Sequence, residues 1–289
     1  METEISPCPA CESRRFRKRF TKKGRDFWRC STCGLEKQFP LPTLAELENY
    51  YDSSYRDGMY KAFQDAEEIK QLTASQRLKR ILPLAKPGRW LDVGCSTGWF
   101  VDVACRAGID AEGIELSAVA VEAARRRSLP VFRSTIEDFR PPHLYDTVTG
   151  FDILEHVLDP YEFLKSVRRL LVPGGVICLG VPNQGGLISK VMGRRWYFYI
   201  PEEHLHYFNA STMQRLLERA GFRVQHCGRA YKTLTFQYSL IQFHDYNPMI
   251  YSVLNAVSKI VPQRLLRMPV ELAIGEMLVT AERVGSARE

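Results

Sequence analysis

From Arg89 onward, short apolar runs alternate with helical stretches at a regular spacing, and this alternation constrains the fold more than any other feature of the chain. RWLDVG, TGWFVDVACRAG, DAEGIE and AVAVEAARRR follow one another as strand, helix, strand, helix. Strands joined through helices pair in parallel and are covered on both faces, so the predicted class is α/β with a doubly wound sheet. Further strands are expected over 146–151 and 176–181, with a helix near 160–171 between them. Two closing strands are read in GFRVQHCGRAYKTLTF and EMLVTAERV.

The turn after the first of these strands is Gly94-Cys95-Ser96-Thr97-Gly98. Glycines there let a ligand approach the backbone, and the following helix offers free N–H groups to it. The spacing departs from G-x-G-x-x-G, which favours an adenosine-bearing cofactor other than a nicotinamide dinucleotide. Glu115 ends the second strand about twenty residues later, where a carboxylate can accept both ribose hydroxyl protons. The competing reading has Glu115 capping the next helix.

Ahead of this domain, Cys8-Pro-Ala-Cys11 and Cys30-Ser-Thr-Cys33 have the spacing of a tetrathiolate zinc site. Four protein ligands leave no open coordination position, so the predicted zinc is structural. Residues 14–29 suit a hairpin, and so small a module depends on its metal for folding energy. Pro40 and Pro42 close it, and a tyrosine-rich segment (Tyr50, Tyr51, Tyr55, Tyr60) leads to a helix expected over 62–84. The expected organisation is a zinc ribbon at 1–40, a linker with N-terminal helices at 41–84, and the main domain at 85–289. A helical cap insertion is read at about 241–269, whose MIYSVLNAVSKIV suits an amphipathic lid or a membrane-surface contact.

The other four of the eight cysteines are scattered, which suits a reducing compartment. The opening METEISPC does not resemble a secretory signal, and no run reaches the roughly 18 apolar residues of a membrane span. The expected location is cytoplasmic. Part of the net charge of +7 lies in Arg14, Arg15, Arg17, Lys18, Arg19, Lys22, Lys23 and Arg25. Such a run points to an anionic partner or to a solvated hairpin face.

LDVGCSTGWF, GIELS, STIEDF and FDILEHVLDP, in this order, resemble the successive motifs of class I S-adenosylmethionine methyltransferases over about residues 85–235. The cysteine pairs and HLHYFNASTMQRLLERAGF further resemble a bacterial subgroup that fuses a zinc ribbon to that fold and serves polysaccharide or natural-product pathways. The resemblance implies a Rossmann-like, seven-stranded sheet with S-adenosylmethionine as methyl donor. It implies that Asp92, Gly94, Ser96 and Gly98 line the methionine moiety, and that Glu115 holds the ribose. Leu116, Ile136 and Glu137 would meet the adenine, with Gly150 and Phe151 bordering the transferred methyl. Thr135 stands where the family often has an acid. Asp152, Glu155 and His156 resemble positions of the ubiquinone-pathway O-methyltransferases, which implies a divalent cation, magnesium or similar, that holds a catechol. Alternatively, His156 locks its helix to a neighbouring loop.

Methyl transfer from a sulfonium requires alignment of donor and acceptor and a proton acceptor for the nucleophile. His204 is the first candidate base, His156 the second and His206 the third; in an extended segment His204 and His206 share a face. Arg194, Arg195, Trp196, Tyr197 and Tyr199 suit a clamp on a ring and an anionic tail such as a diphosphate, or packing against the linker. The expected reaction is methylation of an oxygen, or with less support a carbon, of a small polar molecule: a sugar, a sugar nucleotide or a phenol. One alternative is an rRNA or tRNA methyltransferase whose ribbon grips the phosphate backbone. Against it, GFDIL stands where amino-methylating nucleic-acid enzymes carry Asn/Asp-Pro-Pro-Tyr. The other is a cofactor-binding regulatory protein without turnover.

Overall fold

The computed structural model describes residues 5–57, 67–236, 240 and 248–285. Its first three strands, β1 (Phe16–Lys22), β2 (Arg25–Cys30) and β3 (Glu36–Phe39), form an antiparallel meander around the four N-terminal cysteines. Helices α1 (Leu44–Asp57) and α2 (Glu67–Ile81) follow. Part of the expected 62–84 helix lies outside the described residues; the remainder is α2, which ends at Ile81, with a turn over 82–84.

The main sheet starts with β4 (Arg89–Val93), α3 (Trp99–Arg106), β5 (Asp110–Glu115), α4 (Ala118–Arg126) and β6 (Val131–Arg133). It continues through β7 (Tyr145–Phe151), α5 (Pro160–Leu170), β8 (Leu171–Pro182) and the short α6 (Leu187–Met192). After the two-residue β9 (His206–Tyr207) come α7 (Ala210–Arg219), β10 (Phe222–Arg229) and β11 (Lys232–Leu234). The cap contributes α8 (Pro248–Ser258), α9 (Gln263–Leu266) and β12 (Val270–Leu272), and β13 (Glu276–Arg283) returns to the sheet. Seven strands stand in the order β10-β13-β8-β7-β4-β5-β6, with β13 antiparallel to both neighbours. This is the Rossmann-like methyltransferase sheet.

Strand alternation sends successive side chains to opposite layers. Leu91, Val148, Ile177 and Leu179 pack with Phe163, Leu164 and Val167 of α5 and with Met213 and Leu216 of α7. Trp90, Val176 and Cys178 pack on the other face with Ala74 and Leu78 of α2 and Phe100 of α3. Two features have no mark in the sequence. β11 pairs with β12 and brackets the cap. The ribbon's β3 pairs with β9, Glu36 opposite Tyr207 and Lys37 opposite His206, so the N-terminal sheet is completed by the main domain. Cys8, Cys30 and Leu35 of the ribbon also belong to the main apolar core. Among the described residues no helix is long and apolar enough to cross a membrane.

Candidate active site

The carboxyl ends of β4, β5 and β7 open into a cavity of about 1080 Å³ that runs on between α1, α2 and the cap. Gly94 (φ +70°) and Gly98 (φ +80°) shape the turn after β4 in left-handed backbone. A Cβ on Gly94 would lie 2.9 Å from Ile153 Cδ1, and one on Gly98 2.8 Å from Leu129 Cδ1, so both positions exclude side chains. Ser96 shares the left-handed conformation, and its N–H donates to Glu115 Oε2 at 2.9 Å. Glu115 Oε1 accepts from the N–H groups of Leu116 and Ser117, which fixes the carboxylate at the cavity wall.

Asp92, Gly94, Ser96, Glu115, Leu116, Ile136, Glu137 and Phe151 line this cavity. Gly98 and Gly150 lie behind the lining, where they permit close packing. Thr135 also lines it and donates from Oγ1 to Asp138 Oδ2, another lining residue, placing a carboxylate three residues beyond the position where the family often has an acid. Burial raises the Asp92 carboxyl to about 7, against a short hydrogen bond from Thr149 Oγ1 (2.6 Å) that favours its charged form.

Asp152 sits past β7 with φ +56°. Arg77 of α2 pairs with its Oδ2 at 2.5 Å and Lys232 of β11 with its Oδ1 at 3.1 Å. Lys232 also reaches Glu276 Oε1 at 2.6 Å. Burial opposes ionisation of Asp152, yet the two cations hold its carboxyl below the usual range. With both oxygens engaged, Asp152 is committed to this network rather than to a cation beside Glu155 and His156.

His204 stands beside that pair instead. One ligand atom each from Glu155, His156 and His204 lies within 4.8 Å of the others. Glu155 is 1% exposed and neither carboxylate oxygen has a hydrogen-bond partner; burial, then the Asp152 charge, push its carboxyl well up. The His156 and His204 rings meet edge to face at 4.7 Å. His204 Nδ1 lies 2.8 Å from the Phe198 carbonyl oxygen. A carbonyl only accepts, so Nδ1 carries the proton, and a neutral ring keeps its lone pair on Nε2. Burial, then the neighbouring His156, hold His204 well below its ordinary pKa, so it is neutral at pH 7. Tyr51 of α1 meets His156 Nδ1 at 2.8 Å, and Tyr50 donates to Glu203 Oε1 at 2.9 Å.

His206 is placed outside the cavity lining: its Nε2 faces the Leu158 carbonyl oxygen at 3.3 Å, and Nδ1 is buried without a partner. The local reason is β9, which turns His206 toward α5 while His204 precedes the strand. Trp196 (0% exposed) and Tyr199 likewise lie off the cavity, in an aromatic cluster with Phe27, Phe198 and Tyr207 that joins hairpin to domain. Arg195 is exposed and outside the lining. Trp196 and Tyr199 pack in this cluster off the cofactor cavity, whereas Tyr197 and Phe198 face it.

Gln38 of β3 is a site residue that no sequence pattern announces. Its side-chain Nε2 donates to the carbonyls of His204 (2.7 Å) and Pro201 (2.9 Å), and its backbone N–H to Leu205 (3.0 Å). The ribbon thereby holds the segment that carries His204. The ribbon's own cysteines converge, Sγ to Sγ 3.5 Å for Cys8 and Cys33 and 3.6 Å for Cys11 and Cys30, a donor set suited to a tetrahedral soft metal.

A family model described as Methyltransferase domain matches residues 66–227. Among curated proteins, the chain is 26% identical over 199 residues to the ubiquinone biosynthesis O-methyltransferase of Saccharophagus degradans, covering 64% of this chain and 82% of that protein. It is 28% identical over 179 residues to the enzyme of the same name from Vibrio cholerae, covering 57% and 73%. Among solved structures, an S-adenosylmethionine-dependent methyltransferase from Archaeoglobus fulgidus superposes with a TM-score of 0.52 at 20% identity, over 76% of this chain and 99% of that one. Magnesium protoporphyrin IX methyltransferase from Synechocystis superposes with a TM-score of 0.52 at 16% identity, over 83% and 100%. The glycine turn, Glu115 and the order of the seven strands agree with the family match, which spans more than half of the chain. This chain belongs to the methyltransferase-domain family and is an S-adenosylmethionine-dependent methyltransferase.

Proposed function

We propose that the acceptor is a small ring-bearing molecule methylated on oxygen, a phenol ahead of a sugar or sugar nucleotide. The observation that carries this reading is the chamber beyond Phe151. There, His204 directs its proton-bearing Nδ1 to a backbone carbonyl and keeps a lone pair on Nε2, while Leu47, Phe198, Leu254 and Leu272 supply apolar wall. Apolar wall beside His204 suits a ring, and a buried neutral imidazole suits proton removal from a hydroxyl. The similarity to proteins named ubiquinone biosynthesis O-methyltransferases supports the same choice.

In this reading S-adenosylmethionine supplies the activated methyl. Asp92, Gly94 and Ser96 hold its amino-acid end, with Gly98 and Gly150 allowing the close packing behind it. Glu115 accepts from the ribose hydroxyls, Leu116, Ile136 and Glu137 border the adenine, and Phe151 shields the reacting end from water. His204 is the general base and His156, braced by Tyr51, aligns it. In the alternative arrangement Glu155, His156 and His204 would hold a divalent ion, which would take up the His204 Nε2 lone pair and replace His204 as the group that activates the acceptor. Two imidazoles and one carboxylate suit zinc, manganese or iron better than magnesium, and such an ion would polarise the acceptor oxygen. In the same reading the four ribbon cysteines hold structural zinc, and the chain divides into a ribbon (1–40), a linker with helices (41–84) and the main domain (85–289), with β9 pairing onto the ribbon sheet.

His204→Ala should lower turnover about a hundredfold or more and leave S-adenosylhomocysteine affinity near the parent value. Folded variant protein that turns over within a few-fold of the parent would remove His204 from the chemistry. Label from a methyl-labelled donor that enters RNA, and no phenol or glycan in a panel, would reject the acceptor class.

A further inference from the structure

A second cleft, of about 600 Å³, lies on the other side of the aromatic cluster, where the ribbon hairpin meets the loop after β8 and the start of α7. Tyr199 forms part of its wall. The Tyr199 ring packs on Trp196 at 5.3 Å, and Trp196 on Phe198 at 5.3 Å, with Phe198 facing the cofactor cavity. A run of three packed rings, Tyr199, Trp196 and Phe198, therefore links the walls of the two spaces.

Three cations converge on this cleft, Arg19 of β1 and Arg29 of β2 from the ribbon hairpin and Lys190 of α6 from the main domain. None of the residues lining it is acidic, and Ser189, Asn209 and Ser211 add neutral hydrogen-bonding groups. One carboxylate stands behind the wall. Glu36 is fully buried, accepts from the Tyr199 hydroxyl at 2.6 Å, and lies 3.5 Å from Arg19 Nε and 4.0 Å from Arg29 Nε. It offsets one of the three positive charges and orients both guanidinium groups, leaving a surplus that matches a phosphate dianion. Planar guanidinium forks recognise phosphate oxygens in pairs, and the lysine adds a mobile point charge.

We propose that this cleft binds the phosphate or diphosphate group of a small molecule, at a site separate from the methyl-transfer cavity. The ligand chemistry follows from a lining whose charged residues are all cationic and from dimensions that admit a group of nucleoside diphosphate size. A free anion and the phosphate of a larger small molecule share this chemistry. Inorganic pyrophosphate and uridine diphosphate, used as separate probes, distinguish them.

The test is calorimetric titration of the zinc-loaded full chain with each probe at about 50 mM salt, repeated on the R19Q/K190Q double variant and on Ser211→Asp. Arg19, Lys190 and Ser211 are exposed, and none belongs to the methyl-transfer cavity. Saturable pyrophosphate binding below about 1 mM is expected, weakened about tenfold or more in both variants, with S-adenosylhomocysteine affinity unchanged. Uridine diphosphate binding more tightly than pyrophosphate would assign the site to a nucleotide-bearing ligand; equal affinities would assign it to the phosphate groups alone. No saturable binding, or binding equal in parent and both variants, would overturn the site. A single-stranded oligonucleotide that outcompetes both probes, and loses affinity in the same variants, would replace the small-molecule assignment with a nucleic-acid one.

Discussion

Gln38 donates from its side-chain amide to the backbone carbonyl of His204 at 2.7 Å, across 166 residues of chain. The same nitrogen serves Pro201, so one buried side chain fixes both ends of the turn that presents the imidazole. Gln38→Ala strips two carbonyls of their donor and should cost about 1–3 kcal/mol of stability. Turnover should fall about tenfold or more while cofactor affinity stays near the parent value, because displacement of a catalytic group by about 1 Å is enough for such a loss. A kcat unchanged in the folded variant would show that the turn holds its shape without the ribbon's amide.

Cys33→Ser tests the same linkage from the metal side. With one thiolate missing, zinc content should fall below half an equivalent and the ribbon should lose its fold, since so small a module draws folding energy from its metal. Gln38 then loses its strand, so turnover should fall at least as far as in Gln38→Ala. Full zinc content and full turnover together would separate the ribbon from both roles.

Asp92 carries a pH dependence whose sign is set by burial. Its carboxyl is raised to about 7 from an ordinary 3.8, so the folded protein holds a proton that the unfolded chain gives up. The stability this contributes is complete below about pH 4 and is lost as pH rises to about 7. Asp92→Asn keeps an oxygen for the Thr149 hydrogen bond and cannot ionise. Relative to the parent it should gain stability from pH 5 to pH 8, by at most about 4 kcal/mol, while losing cofactor affinity. A melting-temperature difference that does not change with pH would contradict the assignment.

Lys232 ties the cap to the sheet through Asp152 and Glu276. Lys232→Met leaves Glu276 buried without its cation and should destabilise the protein by about 3 kcal/mol in chemical denaturation. Lys232→Met/Glu276→Gln should recover part of that loss. Equal destabilisation in the single and double variants would mean that the charge pair is not the cause.

Features set by local patterns are legible in the amino-acid sequence itself. The left-handed turn at Gly94 and Gly98, Glu115 at the end of β5, and the paired cysteines each need particular residue types at short spacings, so they leave a mark there. Arg77, Lys232 and Gln38 leave none. Arg77 reaches Asp152 across 75 residues and Lys232 across 80, and an arginine in a helix or a lysine opening a short strand is ordinary at either position. His206 ranks beside His204 in sequence because two histidines at alternate positions share a face in extended chain. What separates them is where β9 starts, and a two-residue strand has no sequence signature of its own. Trp196 and Tyr199 suit ligand contact and packing equally well by residue type; their cluster with Phe27 of the hairpin holds both off the methyl-transfer cavity, and that partner lies far away in sequence.

The pairing of β3 with β9 also limits how this architecture can be recombined. An N-terminal module joined by a tether can be exchanged as a cassette, because neither partner supplies hydrogen bonds to the other's sheet. Here a graft of residues 1–40 onto a foreign methyltransferase would arrive with an unpaired strand edge. The donated piece has to include the His206–Tyr207 segment or meet its equivalent in the host. Chimeras that respect this seam should stay monodisperse, and those cut at Pro40 alone should expose the edge of β3 and self-associate.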